Sequence, residues 1–212
     1  MRTHYDAVYL APHLDDAALS CGGQIQQETA VGRHILIVTI MAGDPPAAVV
    51  RSDFVRELHA RWQLPANAEA LRRQEDAAAC RLLGADYQHW PVPDCIYRTH
   101  PETGDLLYPD WESVITAVHP AETALIEALA AQMAALPTAD RVVAPLGVGR
   151  HADHLITRRA AELCFGAALW YYEDFPYVRE AGGITAVIPP HTNQWQAQVI
   201  PLSAAIGWCA GG

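Results

Sequence analysis

Residues 34–41 read His-Ile-Leu-Ile-Val-Thr-Ile-Met, an apolar and largely β-branched run with no polar alternation. A strand with one wet face alternates polar and apolar residues. A run that is apolar throughout predicts a strand covered on both faces, as in parallel sheets flanked by helices. Asp44-Pro45-Pro46 ends it. Similar runs at residues 7–11, 87–92, 141–146 and 168–172 predict further strands, and two short ones are expected at 184–188 and 198–202. Between them lie segments of helical composition at 16–30, 52–62, 67–84, 122–136 and 152–164, with Asn67 as an N-cap and Gly84 as a C′ residue. Strands alternating with helices define an α/β chain with a mostly parallel, doubly wound sheet. The common order 3-2-1-4-5 would set the first and fourth strands side by side. Gly22-Gly23 inside the first helix costs about 1 kcal/mol per glycine against alanine, so a close approach of helix to sheet is expected there.

The chain has 212 residues, enough for one domain with a full core, and its 51% apolar and 18% charged content is that of a globular protein. Its net charge of −10, without a basic cluster, argues against nucleic acid or an anionic membrane as partner. There is no lysine at all, which excludes a Schiff-base or P-loop lysine. The five cysteines lack any C-x-x-C pair and read as buried free thiols of a reducing compartment. Neither a secretory leader nor a 20-residue apolar span is evident, so a cytoplasmic location is expected, with homo-oligomers left open.

Two motifs follow predicted strands. Pro12-His13-Leu14-Asp15-Asp16 comes directly after residues 7–11, and His151-Ala152-Asp153-His154 follows residues 141–146 through Gly147-Val148-Gly149. Ligands bind at the carboxyl ends of parallel strands, at the switch point of the sheet. Catalytic zinc usually takes three protein ligands from His and Asp or Glu and leaves one place for water. His13 and Asp16, three residues apart at a strand-to-helix turn, can point at one ion, and His154 supplies a third ligand. Asp15 and Asp16 are adjacent, so their side chains diverge: one binds while the other faces the water and can take its proton. His151, one turn before His154, is placed to donate to an oxyanion. Asp153 either orients His151 or supports a ligand from behind.

These motifs resemble the PIG-L/LmbE family of zinc-dependent N-deacetylases. Residues 12–16 are similar to the family's Ala-His-Pro-Asp-Asp, and residues 151–154 to its second motif. Arg72-Arg73-Gln74-Glu75 before Leu82-Leu83-Gly84, Pro93-Asp94 after the third strand, and the aromatic stretch Tyr171–Tyr177 resemble further family elements. Two positions depart from the pattern: Leu14 stands where proline is usual and Ala17 where glutamate is common. The resemblance implies a Rossmann-like, LmbE-like fold spanning the chain as one domain, and a Zn2+ or other divalent ion on His13, Asp16 and His154. It further implies Asp15 as general base, His151 as electrophilic partner, and Arg72 and Asp94 near substrate hydroxyl or phosphate groups. The substrate implied is an N-acylated, usually N-acetylated, amino sugar or glycoconjugate.

Two other readings stay open at this level. Gly147-Val148-Gly149-Arg150-His151-Ala152 fits a G-x-G-x-x-[G/A] turn, and Glu173 lies about 20 residues on, where a dinucleotide ribose would be held. The carboxylates of the first strand's loop argue against it, because they would repel a pyrophosphate. A non-catalytic metal- or carbohydrate-binding module has no use for Asp15. No G-x-S-x-G is present, so Ser20 does not suggest a serine hydrolase. Arg72 with Glu75 could equally be a helix-surface pair, Asp94 a turn residue, and Tyr171 a core side chain. The long connection at 93–120 is expected to be functional, because structureless loops of that length are uncommon.

Overall fold

The structure, a computed structural model, describes residues 2–46, 52–62, 68–188 and 195–202. In chain order the elements are β1 (His4–Ala11), α1 (Asp16–Ala30), β2 (Ile35–Thr39), α2 (Asp53–Trp62), α3 (Ala68–Leu82), β3 (Asp86–His89), α4 (Trp111–Thr116), α5 (Thr123–Met133), β4 (Thr138–Pro145), α6 (Ala152–Phe165), β5 (Leu169–Tyr172) and α7 (Gly183–Val187). The strands form one five-stranded sheet in the order β3-β2-β1-β4-β5. Every neighbouring pair is parallel. This is the expected α/β arrangement, and it sets the carboxyl ends of β1 and β4 next to each other.

The period of two explains why both faces of the central strands are apolar. On one face Val8, Leu10, Leu36 and Val38 pack with Leu129 and Met133 of α5 and Ile156 and Ala160 of α6. On the other, Ala7, Tyr9, Ile35 and Ile37 meet Ala17, Cys21 and Ile25 of α1 and Cys80 of α3. Each fully buried aliphatic side chain here is worth roughly 1.5–3 kcal/mol of transfer free energy. A third cluster lies under the long connection: Cys95, Ile96, Tyr97, Leu107, Tyr108 and Val114 close over Val55 and Leu58 of α2 and Ala152 of α6. That connection is therefore ordered by its own small core. It contains the 3-10 turn Cys95–Tyr97 and the short α4.

Three expectations are corrected. Residues 184–188 are not a strand; they lie in α7 and its C-cap. The sheet ends at β5, and Gly182, at φ 80°, turns the chain into local bonds such as Ala186 N–H to Gly182 O, which supply what a partner strand would have given. Residues 198–202 form no strand either, because they run over α1, where Gln27 donates to the carbonyl of Pro201. The neighbour of Gly23 is that same segment rather than the sheet: a Cβ there would stand 2.6 Å from the Leu202 side chain. The expected cap Asn67 lies outside the described residues, as do His191 and Cys209; the other four cysteines are free thiols.

Candidate metal centre and active site

Each of the two motifs starts where a buried strand runs out of partners. β1 ends at Ala11, and α1 begins at Asp16 with Asp15 as its N-cap residue, so the turn carries His13, Asp15 and Asp16 into the crevice. The backbone N–H of His13 donates to Asp16 Oδ2 at 2.8 Å, which fixes the turn. After β4 the chain passes through Gly147 (φ 81°), Gly149 (φ 85°) and Arg150 (φ 59°), then enters α6 with His151 as N-cap. Arg150 is the one non-glycine residue at positive φ among the described residues. His151 Nδ1 accepts from the backbone N–H of Asp153 at 3.3 Å, so its neutral ring carries its proton on Nε2.

The three imidazoles gather at ring-centroid separations of 4.9 to 5.4 Å. Their ligand-type atoms all lie within 4.8 Å of one another. His13 and His154 are held in parallel ways. His13 Nε2 lies 3.0 Å from Asp153 Oδ2, and His154 Nδ1 lies 2.6 Å from Asp174 Oδ1, so in each ring the outer nitrogen donates to a buried carboxylate. The inner nitrogens, His13 Nδ1 and His154 Nε2, then face the same oxygen, Asp16 Oδ2, at 3.3 and 3.4 Å. Those spacings are long for hydrogen bonds. They match the roughly 3.3 Å ligand–ligand edge of a tetrahedral ion with arms of about 2.0–2.1 Å. With each outer nitrogen carrying the proton of its neutral ring, two imidazole lone pairs and a carboxylate oxygen face one another, and this donor set fits a divalent metal.

The electrostatics agree. Burial pushes His13 down, but the bond to Asp153 and the nearby carboxylates of Asp16 and Asp94 hold it well above its ordinary value. Burial likewise opposes His154, and Asp16 and Asp174 outweigh it. Asp16 and Asp153 are desolvated yet sit below the usual carboxylate range, Asp16 through His154 and His13 and Asp153 through Arg98 and His13. The pocket thus holds an excess of negative charge that attracts positive charge. His151 differs: burial and the neighbouring His13 push it down to about 4, leaving a neutral donor. Asp15 is open to solvent, and partial desolvation and the adjacent Asp16 raise its pKa.

Of the residues singled out from the sequence, His13, Asp15, Asp16, His151, Asp153 and His154 come together. Asp153 holds the His151 ring through its backbone N–H, whereas its carboxylate serves His13 and accepts from Arg98 and from the Cys95 backbone. Asp94 caps the 3-10 turn at Ile96 N–H and also lies 3.5 Å from His13 Nε2. Arg72 is not paired with Glu75, which is exposed; it stands 4.0 Å from Glu69, and its charge reaches Asp15. Tyr171 is half-buried, bonded to Glu162 and set against Trp195, whereas Tyr177 comes within 6.4 Å of the His154 ring.

Residues that the sequence did not single out complete the arrangement. Asp174, 1% exposed, links His154 to the backbone N–H groups of Gly147 and Val148, which donate to its Oδ2 at 2.7 and 2.9 Å. Both amides are thereby satisfied within the turn. Gly149 is needed for close packing: a Cβ there would lie 2.6 Å from the Tyr177 ring. Arg98 bridges Asp153 and Glu122. The one available signal for Asp174 was its position, just past the end of β5 on the crevice side. Ser20 Oγ accepts from Phe175 N–H, a structural role that ties α1 to this segment.

A crevice at the β1/β4 switch point, lined by three histidines and paired carboxylates that fit a divalent ion, defines an α/β protein of the LmbE-like kind. The chain belongs to the PIG-L family: residues 8–165 match the model described as GlcNAc-PI de-N-acetylase. It is 32% identical over 208 residues to 2'-N-acetylparomamine deacetylase of Streptomyces fradiae, which covers 92% of this chain; the chain spans 64% of that relative's length. Among solved structures it resembles the zinc-inhibited form of teicoplanin deacetylase, at 30% identity and TM-score 0.70, over 81% of this chain and 68% of the other. It also resembles a deacetylase–teicoplanin complex, at 29% identity and TM-score 0.71, over 84% and 73% of the two chains. Among the described residues no helix is long and apolar enough to cross a membrane.

Proposed function

We propose that the protein is a metal-dependent hydrolase that removes an acyl group, acetyl in the first instance, from an N-acylated amino sugar or its conjugate. The observation that carries this reading is the convergence of His13 Nδ1, His154 Nε2 and Asp16 Oδ2, with the open carboxylate of Asp15 and the neutral imidazole of His151 beside them. The family match and the amino-glycoside and glycopeptide deacetylases it resembles support the same chemistry. In this reading His13, Asp16 and His154 hold a divalent ion, zinc being favoured by the His2Asp donor set. When bound, such an ion polarises the amide carbonyl and brings the pKa of water to about 7.

The chain's own groups do the rest. Asp15 takes a proton from the attacking water as the oxygen bonds to the carbonyl carbon. His151 Nε2–H donates to the carbonyl oxygen as negative charge develops there. Collapse breaks the C–N bond, and Asp15, now protonated, returns its proton to the departing amine, which is too basic to leave as an anion. Acetate and the free amino sugar result. Asp153 and Asp174 hold the outer nitrogens of His13 and His154, which fixes the tautomer whose inner nitrogens carry the lone pairs, and they make those nitrogens more basic ligands. Arg72 and Asp94, at the rim, meet hydroxyl or phosphate groups of the substrate.

Metal analysis and acetate release, measured together, test this. Asp15→Asn should keep its metal and lose about 10²–10⁴-fold in kcat; Asp16→Ala should lose the metal, and His151→Ala should keep it. Chelation should abolish acetate release and one equivalent of metal restore it, with excess avoided because a related teicoplanin deacetylase has been captured in a zinc-inhibited form. Metal loss in Asp15→Asn, or retention in Asp16→Ala, would reverse the two roles. Acetate release that survives chelation would sink the reading.

A further inference from the structure

Beside the catalytic crevice, α4 carries an aromatic ring that the mechanism leaves unused. Trp111 is 45% exposed, although its ring centroid is 6.5 Å from that of His151. Ile115, one turn on, is 37% exposed, while Val114 between them is fully buried under the long connection. An exposed tryptophan gives up hydrophobic stabilisation that burial would provide, so its place at the mouth needs a reason.

The helix that presents it is fixed on three sides. Asp110 and Ser113 form a reciprocal capping box at its start. Val114 anchors its middle. At its end the Thr116 carbonyl accepts two bonds, at 2.8 and 3.2 Å, from the guanidinium of Arg150, the residue just before His151. The ring is therefore held in register with the site. Glu112, the next residue along the helix, is exposed. The net charge of −10 extends the same sign over the molecule.

A flat aromatic face receives a carbohydrate ring carrying a protonated amine, the ring's C–H face lying on the indole and the ammonium drawn to its π face, while the carboxylate of the next helix residue adds a longer-range pull. A tryptophan left open on one side suits a ring that stays half in water, rather than a short acyl group that would be enclosed. Resting on the deacetylase reading above, we propose that Trp111, assisted by Glu112, is the specificity platform for a second, amine-bearing ring attached to the sugar that is deacylated. The preferred substrate class is then an N-acetylated, cationic oligosaccharide-like amine rather than a lone N-acetyl sugar.

The experiment compares steady-state acetate release from free N-acetylglucosamine and from a mono-N-acetylated aminoglycoside pseudodisaccharide with free amines. Trp111→Ala should raise KM for the pseudodisaccharide by about 3–30-fold with kcat little changed, and leave N-acetylglucosamine within about twofold. Trp111→Phe should recover most of the loss, which a merely folding role would not require. Glu112→Gln should raise the same KM about 2–5-fold and flatten its dependence on salt. Calorimetric binding of the deacetylated pseudodisaccharide to wild type and Trp111→Ala provides a readout independent of turnover. Equal effects on both substrates, no effect on either, or a selective loss with long-chain N-acyl substrates would overturn the platform while leaving the deacetylase reading intact. No acetate from any N-acetyl sugar would instead fell that reading, and the binding arm would still judge Trp111.

Discussion

His13 and His154 receive the same support, a buried carboxylate behind the ring, but the two carboxylates are neutralised by different means. Asp174, behind His154, rests on the backbone amides of Gly147 and Val148. Asp153, behind His13, rests on the Arg98 guanidinium and the Cys95 amide, and Arg98 in turn on Glu122 and the Pro93 carbonyl. One anchor belongs to the β4–α6 turn itself. The other runs through the long connection, so the geometry of His13 depends on a segment that is held by its own small core. Backbone dipoles cannot be removed by a side-chain mutation, whereas a buried guanidinium can.

The largest effect is expected at Arg98. It is 8% exposed and its two carboxylate partners are also buried, at 0% for Asp153 and 3% for Glu122. Arg98→Met keeps most of the apolar stem and leaves both acids without their cation. Truncating one member of such a network typically costs about 3–5 kcal/mol, which chemical denaturation would read as a clear fall in midpoint. A midpoint within experimental error of wild type would mean that the long connection is not the anchor of His13.

Asp174→Asn probes the other anchor and should separate support from stability. The asparagine oxygen can still accept from Gly147 and Val148, so the fold should change little. Its amide nitrogen would then face His154 Nδ1 and turn that atom into an acceptor, moving the ring proton to Nε2, where a metal needs a lone pair. Loss of such support typically weakens metal binding about 10–100-fold, measurable by competition with a chelating dye. Unchanged affinity would show that Asp174 does not set the tautomer.

The same contrast decides what the sequence could disclose. The doubly covered parallel sheet was legible in runs such as residues 35–41, where only Thr39 interrupts the apolar side chains, because a strand with one wet face would alternate. His13, Asp16 and His154 were legible because local spacing after a strand puts them at one edge. Arg98 and Asp174 were not: their roles come from bonds to residues 55 and 20 positions away, and nothing in the local pattern of either segment announces a partner. Residues 184–188 misled for the opposite reason. Ile184, Thr185, Val187 and Ile188 have strand composition, but no sheet edge is offered to them, and Gly182 begins a helical turn. The Asp110–Ser113 box went unread, because it sits in a stretch without periodicity, where a six-residue helix leaves almost no trace.

That box gives the smallest expected effect and the finest view of the long connection. Asp110 Oδ1 accepts from Ser113 N–H at 2.8 Å, and Ser113 Oγ lies 3.3 Å from Asp110 N. Asp110→Ala removes the first bond and leaves a helix of six residues uncapped, at a cost of about 1 kcal/mol. Because α4 is peripheral, much of that cost should appear as local opening rather than global unfolding. Amide exchange at residues 113–116 should therefore speed up several-fold, while exchange in β1 and β4 stays at the wild-type rate. The Arg150–Thr116 bonds tie this helix to the turn before His151, so the local opening should also reach the crevice as a modest loss of activity with metal content unchanged. If exchange accelerates equally in α4 and in the central strands, the connection is not a separable unit, and the two anchors behave as one.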